Sequence, residues 1–123
     1  MQHDIKRMLE LAAKAAGYDD AEYQEGEWMQ VRYGFASAVY STKHDGYLAP
    51  HEDDIDSRFL QVKLGLLVDV DWNARTVTAV LPDRVEMIHT IVHSVSMPEG
   101  SDGMAETRLA VLMAAAAIGE AMP

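Results

Sequence analysis

The sequence predicts an α+β protein with a mostly antiparallel sheet of about four to five strands and three helices. The expected order is helix, strands, helix, three strands, helix. Three observations predict this class: apolar residues at helical spacing near both chain ends, an acidic start and a glycine stop around a central segment, and β-branched runs between residues 67 and 95. With 123 residues, 49% of them hydrophobic, the chain is expected to form one domain over residues 1–123.

Helices are predicted at both ends of the chain. Residues 4–16 place apolar side chains on one helical face, and Gly17 follows in the position where helices stop. Residues 104–121 are rich in alanine and apolar on most sides. A helix with this composition is expected to be largely buried.

The central helix is predicted between Pro50 and Gly65. Pro50 favours an extended lead-in, the acidic residues after it favour a helix N-terminus, and Gly65 ends the helix. Phe59 falls on one side of this helix and Leu60 on nearly the opposite side. Either these sides contact the sheet and the terminal helix, or Phe59 belongs to a dimer or partner surface.

Two short strands are predicted before the central helix. Residues 28–33 alternate along the chain and predict a strand, Gly34 breaks the pattern, and residues 36–40 suggest a second strand. The acidic segment 18–27 predicts a solvated loop.

Three strands are predicted after the central helix. Residues 67–71 and 76–81 are spaced for a tight hairpin, and Pro82-Asp83 predicts the next turn. Residues 85–95 are β-branched and predict the third strand, although their apolar positions also fit a helical face.

The composition narrows the possible functions. Twenty acidic and ten basic residues give a net charge of −10, which repels nucleic-acid backbones and anionic membranes. The absence of cysteine excludes disulfides and thiolate chemistry. No apolar signal core or membrane-spanning run occurs, so a cytoplasmic protein is expected. No phosphate loop, hydrolase elbow or metalloprotease motif is present, and no cofactor is expected.

Two pairs of residues are candidate metal ligands. His89 and His93 are four residues apart. On a helix this spacing lets the two imidazoles bind one metal ion, whereas on a strand it separates them by about 13 Å. Asp69 and Asp71 would lie on one face of a strand about 7 Å apart, which suits paired-carboxylate or two-ligand metal chemistry. A solvated outer sheet face predicts the same alternation of aspartates, and half-exposed strand histidines are the alternative to a metal site.

An acidic patch is the candidate partner-binding site. It combines two segments that are rich in carboxylates, one before residue 26 and one at the start of the central helix. Such a patch could compete for a basic, nucleic-acid-binding surface of another protein, and solubility is the alternative explanation. Its residues are Asp19, Asp20, Glu22, Glu25, Glu52, Asp53, Asp54 and Asp56.

Parts of the chain resemble small proteins encoded by phages and prophages. The run APHEDDIDSRFLQVKLGL at residues 49–66 is similar to their acidic stretch and following helix, MLELAAKAAG at residues 8–17 to their first helix, and residues 106–108 and 115–123 to their C-terminus. The resemblance is to uncharacterised proteins of the phage αβα-sandwich type. Leu48-Ala49 stands where that family often has Trp-Asn, and residues 28–45 have no counterpart in it.

The resemblance and the charge together lead to a functional expectation. We expect a non-enzymatic phage or prophage accessory protein that binds a host protein, with a nucleic-acid-binding defence complex such as CRISPR as the candidate target. A small metal-dependent enzyme or ligand-binding protein, using the two aspartates and two histidines, is the first alternative. A self-associating structural component, such as a homodimer through Phe59, is the second.

Overall fold

The computed structural model describes residues 4–83 and 88–123 of the chain. Within these residues there are four α-helices and six β-strands. The helices are α1 (Ile5–Ala15), α2 (Glu27–Tyr33), α3 (Asp54–Leu64) and α4 (Met104–Ala121). The strands are β1 (Glu22–Glu25), β2 (Ser37–Ser41), β3 (Gly46–Leu48), β4 (Leu67–Asp71), β5 (Thr76–Asp83) and β6 (Ile88–Ser96).

The strands form two separate antiparallel sheets. Sheet A has the order β1-β2-β3, and sheet B has the order β4-β5-β6. The α+β class and the antiparallel pairing are confirmed. The prediction of one sheet of four to five strands with three helices was wrong, because the described residues contain a fourth helix and divide six strands between two sheets.

Helices α1 and α4 connect the two sheets. Helix α4 packs against β5 and β6 of sheet B and against α1 and α3, while α1 contacts β1 and β2 of sheet A. Gly119 of α4 lies so close to α1 that a Cβ atom there would stand 2.0 Å from the Leu11 carbonyl oxygen. The expected burial of α4 is confirmed, because Val111 and Leu112 are fully buried.

The helix ends follow the predicted signals. The Asp4 carboxylate caps α1 by accepting from the Arg7 backbone N–H, and the Asp53 carboxylate caps α3 by accepting from the Ile55 N–H. Gly65 adopts the left-handed conformation that ends α3, with φ of 69°. These ends depend on local chemistry, and for that reason the sequence predicts them well.

The segment predicted as a strand at residues 28–33 is helix α2, so that prediction was wrong. Its residues alternate, but two glycines frame them: Gly26 occupies the N-cap, and Gly34 ends the helix at φ of 82°. The fully buried Met29 anchors the helix on sheet A. The predicted loop at 18–27 also contains β1, which pairs with β2.

Sheet B contains the predicted hairpin and third strand. Strand β5 continues through Pro82 and Asp83 rather than turning there, and the register shifts between Leu81 and Pro82. A shift at this point agrees with the missing N–H of proline. Strand β6 confirms the strand over its described part, whereas residues 85–87 of the predicted span lie outside the described residues.

Candidate functional site

Four aromatic side chains form a continuous strip on one side of the molecule. The rings of Tyr40 and Tyr47 are 4.9 Å apart between centroids, those of Tyr47 and Tyr33 are 4.6 Å apart, and Trp28 meets Tyr33 edge-on at 6.3 Å. We call Trp28, Tyr33, Tyr47 and Tyr40 the aromatic strip. Tilted and edge-to-face contacts at these distances are the favourable geometries for aromatic pairs.

Sheet A and helix α2 together position the strip. Tyr40 of β2 and Tyr47 of β3 are direct cross-strand partners, so their rings share one face of the sheet. Helix α2 lies on this same face through Met29, which packs with Ala38 and Tyr47, and it brings Trp28 and Tyr33 alongside. The opposite face of the sheet packs into the main core.

The α2 end of the strip is strongly exposed to solvent. Trp28 is 50% exposed and Tyr33 is 39% exposed, and the neighbouring Val31 is 86% exposed. Aromatic side chains that pack on one another and are still open to water are typical of the centres of protein–protein interfaces.

Carboxylates line this aromatic strip. Glu22 is the cross-strand partner of Tyr40, and Asp45 accepts a hydrogen bond of 2.9 Å from the Tyr40 hydroxyl. Glu27 precedes Trp28 in α2, and within the described residues neither the Glu22 nor the Glu27 carboxylate has a hydrogen bond or ion pair. We call Glu22, Glu27 and Asp45 the acidic rim.

The electrostatics of this region are strongly negative. Residues 18–53 contain eight acidic and two basic side chains, a net charge of −6 out of −10 for the chain. The hydrogen bond to Asp45 raises the pKa of Tyr40 above its usual value of 10.0, so this phenol stays neutral. The Arg32 guanidinium carbon lies 5.5 Å from the Tyr33 ring centroid, a cation–π contact.

The predicted acidic patch divides into structural and free carboxylates. Four of its carboxylates bind backbone or side-chain groups of the protein. Asp20 accepts hydrogen bonds from the Ser41 hydroxyl and the Lys43 N–H, and Asp53 caps α3. Asp54 forms an ion pair with Arg108 at 2.6 Å, and Asp56 accepts from the Ala49 N–H at 2.8 Å. Burial raises the pKa of Asp56. Of the rest, Asp19 pairs with Lys43, Glu25 accepts from the Tyr23 hydroxyl, and Glu22 belongs to the acidic rim.

The eighth member, Glu52, belongs to a cluster that sequence reasoning missed. Its carboxylate accepts from the Ala36 and Ser37 N–H groups and lies 3.0 Å from Nε2 of His51. The same Nε2 is 2.9 Å from the Ser37 hydroxyl, and the Arg108 guanidinium donates to the His51 carbonyl oxygen. The cluster therefore joins sheet A and the start of α3 to α4.

The His51 cluster is a structural clasp and lacks the geometry of a catalytic triad. A nucleophile and an acid must bind opposite ring nitrogens of the histidine, whereas Ser37 and Glu52 both approach Nε2. Among the described residues, Nδ1 of His51 is buried and has no hydrogen-bond partner. Burial lowers the pKa of His51, so the ring is neutral near pH 7, and Ser37 is only 7% exposed.

Comparison of this chain with protein-family models, with curated proteins and with solved structures finds no match. Among the residues that the structure describes, no helix is long and apolar enough to cross a membrane.

The structure does not bring the predicted metal ligands together. Asp69 is in register with Thr78 on the outer face of sheet B, whereas His93 is paired with the buried Ala79 on the inner face. The Asp71 carboxylate accepts from two N–H groups of its own turn. His89 lies on strand β6, and its side chain is outside the described residues. Within residues 4–83 and 88–123, no three His, Asp or Glu side chains are grouped to hold a metal ion.

Phe59 packs inward against the main core, with its ring 6.0 Å from Tyr18. The exposed apolar residues of α3 are instead Ile55, at 78% exposure, and Val62, at 67%.

Sequence reasoning also missed the aromatic strip. A compositional signal was available, because all five tyrosines of the chain fall between residues 18 and 47. Pairing Tyr33 with Tyr47, however, requires knowing that residues 28–33 form a helix lying on sheet A.

Proposed function

We propose that this protein is a non-enzymatic binding protein that attaches to a basic surface of a partner protein. The binding face is the aromatic strip together with the acidic rim. The observation that supports it most strongly is the pair of exposed aromatic side chains on α2, Trp28 at 50% and Tyr33 at 39% exposure, whose rings meet edge-on at 6.3 Å.

The chemistry of this face favours lysine and arginine side chains. Aromatic rings attract cations through their quadrupole, by about 0.5–2 kcal/mol per contact, and offer apolar area to the side-chain stems. The nearby carboxylates steer a positively charged partner toward the rings and accept its hydrogen bonds. The stacking of the chain's own Arg32 on Tyr33 is an internal example of this contact.

The proposed partner is a host protein that presents a nucleic-acid-binding surface, such as a component of a defence complex. Such surfaces are basic, and an acidic protein can occupy them in place of the nucleic acid. The resemblance of residues 49–66 to phage-encoded proteins motivates this choice of partner.

The test is affinity capture from bacterial lysate at low salt with three forms of the tagged protein. These are the wild type, the double variant Trp28→Ala/Tyr33→Ala, and the control Trp72→Ala. Trp72 is 53% exposed and lies after β4, on sheet B, so its removal changes a comparable aromatic surface elsewhere.

We expect wild type and Trp72→Ala to retain the same basic protein and to release it at high salt. The Trp28→Ala/Tyr33→Ala variant should lose this protein. Equal capture by all three forms, with normal folding shown by circular dichroism, would remove the aromatic strip from the binding face.

A further inference from the structure

Strand β6 is a free edge of sheet B. Sheet B ends at β4 on one side and at β6 on the other, and within the described part of the chain no strand pairs with the outer side of β6. An unpaired edge presents a row of backbone N–H and C=O groups that can template another strand.

The two edges of sheet B differ in the features that block such pairing. Strand β4 has five residues, and two of them, Asp69 and Asp71, are charged. Strand β6 has nine residues with the sequence IHTIVHSVS, which contains no aspartate, glutamate, lysine, arginine or proline. Proteins commonly protect edge strands with charge, proline, bulges or short length. β6 has one such feature, a register shift near its start between His89 and Ile91, and residues 91–96 have none.

The part of the outer face nearest this edge is also uncharged, because the charged residues of that face, Asp69 and Asp71, lie on β4 at the opposite edge. Val92 of β6 is 52% exposed and is in register with Val80 of β5, which is in register with Leu67 of β4. In the next row Thr78 and Ser94 share a hydrogen bond of 2.8 Å between their hydroxyls. A neutral apolar row therefore reaches the β6 edge.

We propose that β6 pairs antiparallel with β6 of a second copy of this chain, joining two B sheets into one sheet of six strands. The β6 edge is complementary to a second copy of itself, because a row of unpaired N–H and C=O groups pairs with the same row running in the opposite direction. β6 contains no acidic residue, so this pairing places no carboxylate of β6 against its copy, although each chain carries a net charge of −10. Antiparallel pairing of one strand with its own copy is also the two-fold arrangement that closes on itself.

The dimer and the basic partner use different surfaces. The aromatic strip lies on sheet A, so a dimer formed through β6 presents two such strips. The proposal does not depend on the proposed function of that strip.

The test is sedimentation velocity of the wild type, Val92→Glu and Leu67→Glu over a range of concentrations. Both substituted residues are 52% exposed and lie in the same cross-strand row, but at opposite edges of the sheet. We expect a dimer for wild type and Leu67→Glu, and at least about a tenfold weaker dimer for Val92→Glu, because two added carboxylates would face each other across the new pair.

Amide hydrogen exchange provides a second readout that needs no variant. The N–H groups of residues 91–96 that point away from β5 should become slower to exchange as the wild-type concentration rises. A wild-type monomer at all concentrations would overturn the proposal. Equal loss of the dimer in both variants would overturn it too, because that result indicates packing through the sheet face rather than the edge.

Discussion

The two sheets of this protein have the same strand number and antiparallel pairing but very different surfaces. The outer face of sheet A carries tyrosines, a covering helix and carboxylates. The outer face of sheet B carries Leu67, Val80 and Val92 in a neutral row, with Asp69 and Asp71 at its β4 edge. Sheet A is therefore suited to a partner of opposite charge, and the β6 side of sheet B is suited to an uncharged strand.

From this contrast we propose that one half of the molecule binds a basic partner and that the other half associates with a second copy. The α1–α4 interface holds the two halves together, because α1 contacts sheet A and α4 contacts sheet B. Substitutions that disrupt the α1–α4 interface should therefore affect both the aromatic strip and the β6 edge, while a substitution on the surface of one sheet should affect only that sheet's contact.

The largest expected effect is that of Gly119→Ala. The added Cβ atom would stand 2.0 Å from the Leu11 carbonyl oxygen, so α1 and α4 must separate. We expect a loss of about 3 kcal/mol or more in the free energy of unfolding, measured by urea titration. The reverse change, Ala105→Gly at an exposed position in the first turn of the same helix, should cost less than about 1 kcal/mol, because it alters helix propensity alone. Equal stability of Gly119→Ala and wild type would show that the helices do not approach this closely.

Removing the aromatic strip should have the next largest effect, on binding and not on stability. Truncating two exposed aromatic anchors, as in Trp28→Ala/Tyr33→Ala, should weaken binding of a basic partner by about 30-fold or more. The same assay on Trp72→Ala should give the wild-type dissociation constant. A comparable loss for Trp72→Ala would mean that the two halves do not differ in the way proposed.

The sequence predicts those elements that are determined by residues close together in the chain, and it fails for those that depend on tertiary contacts. Helices α1, α3 and α4 and the β4–β5 hairpin follow from caps, glycine stops and periodicity within a few residues. Sheet A was poorly predicted because its helix α2 alternates like a strand and is fixed by the burial of Met29 against Ala38 and Ala49. The aromatic strip combines three separate segments, so only the tertiary structure reveals it.

The His51 clasp should make the sheet A half sensitive to mild acid. Burial lowers the pKa of His51 below 6.5, so the unfolded chain takes up a proton at a pH where the folded chain does not. The stabilisation is complete above about pH 6.5 and decreases as the pH falls toward the folded-state pKa. We expect the urea midpoint to drop between pH 7.5 and pH 5.

The variant His51→Gln should show a weaker dependence of its urea midpoint on pH, with a lower midpoint at pH 7.5 because the clasp is lost. His44→Gln is the matched comparison, because it removes a second imidazole that contacts the sheet A half, by stacking on Tyr18 at 3.8 Å and bonding the Ser41 hydroxyl, from a residue that is exposed. An unchanged pH dependence in His51→Gln would contradict the role of the buried imidazole.

The smallest expected effect is that of the acidic rim. Glu22→Gln/Glu27→Gln removes two exposed carboxylates beside the strip, and the control Glu10→Gln/Glu99→Gln removes two exposed carboxylates elsewhere. The rim variant should slow association with a basic partner a few-fold at low salt and should flatten the salt dependence. The control variant should change the association rate and its salt dependence much less. Equal changes in the rim variant and the control would indicate that the net charge of the chain matters rather than the position of the carboxylates.

The most direct test of basic-partner binding uses the two tryptophans as reporters. Trp72→Phe leaves Trp28 as the only tryptophan, and Trp28→Phe leaves Trp72, each about half exposed. Titration with an oligo-arginine peptide should change the fluorescence of Trp28 saturably and in a salt-sensitive manner, while Trp72 should change little. An equal response from both tryptophans, or a response from Trp72 alone, would contradict the placement of the binding face on the aromatic strip.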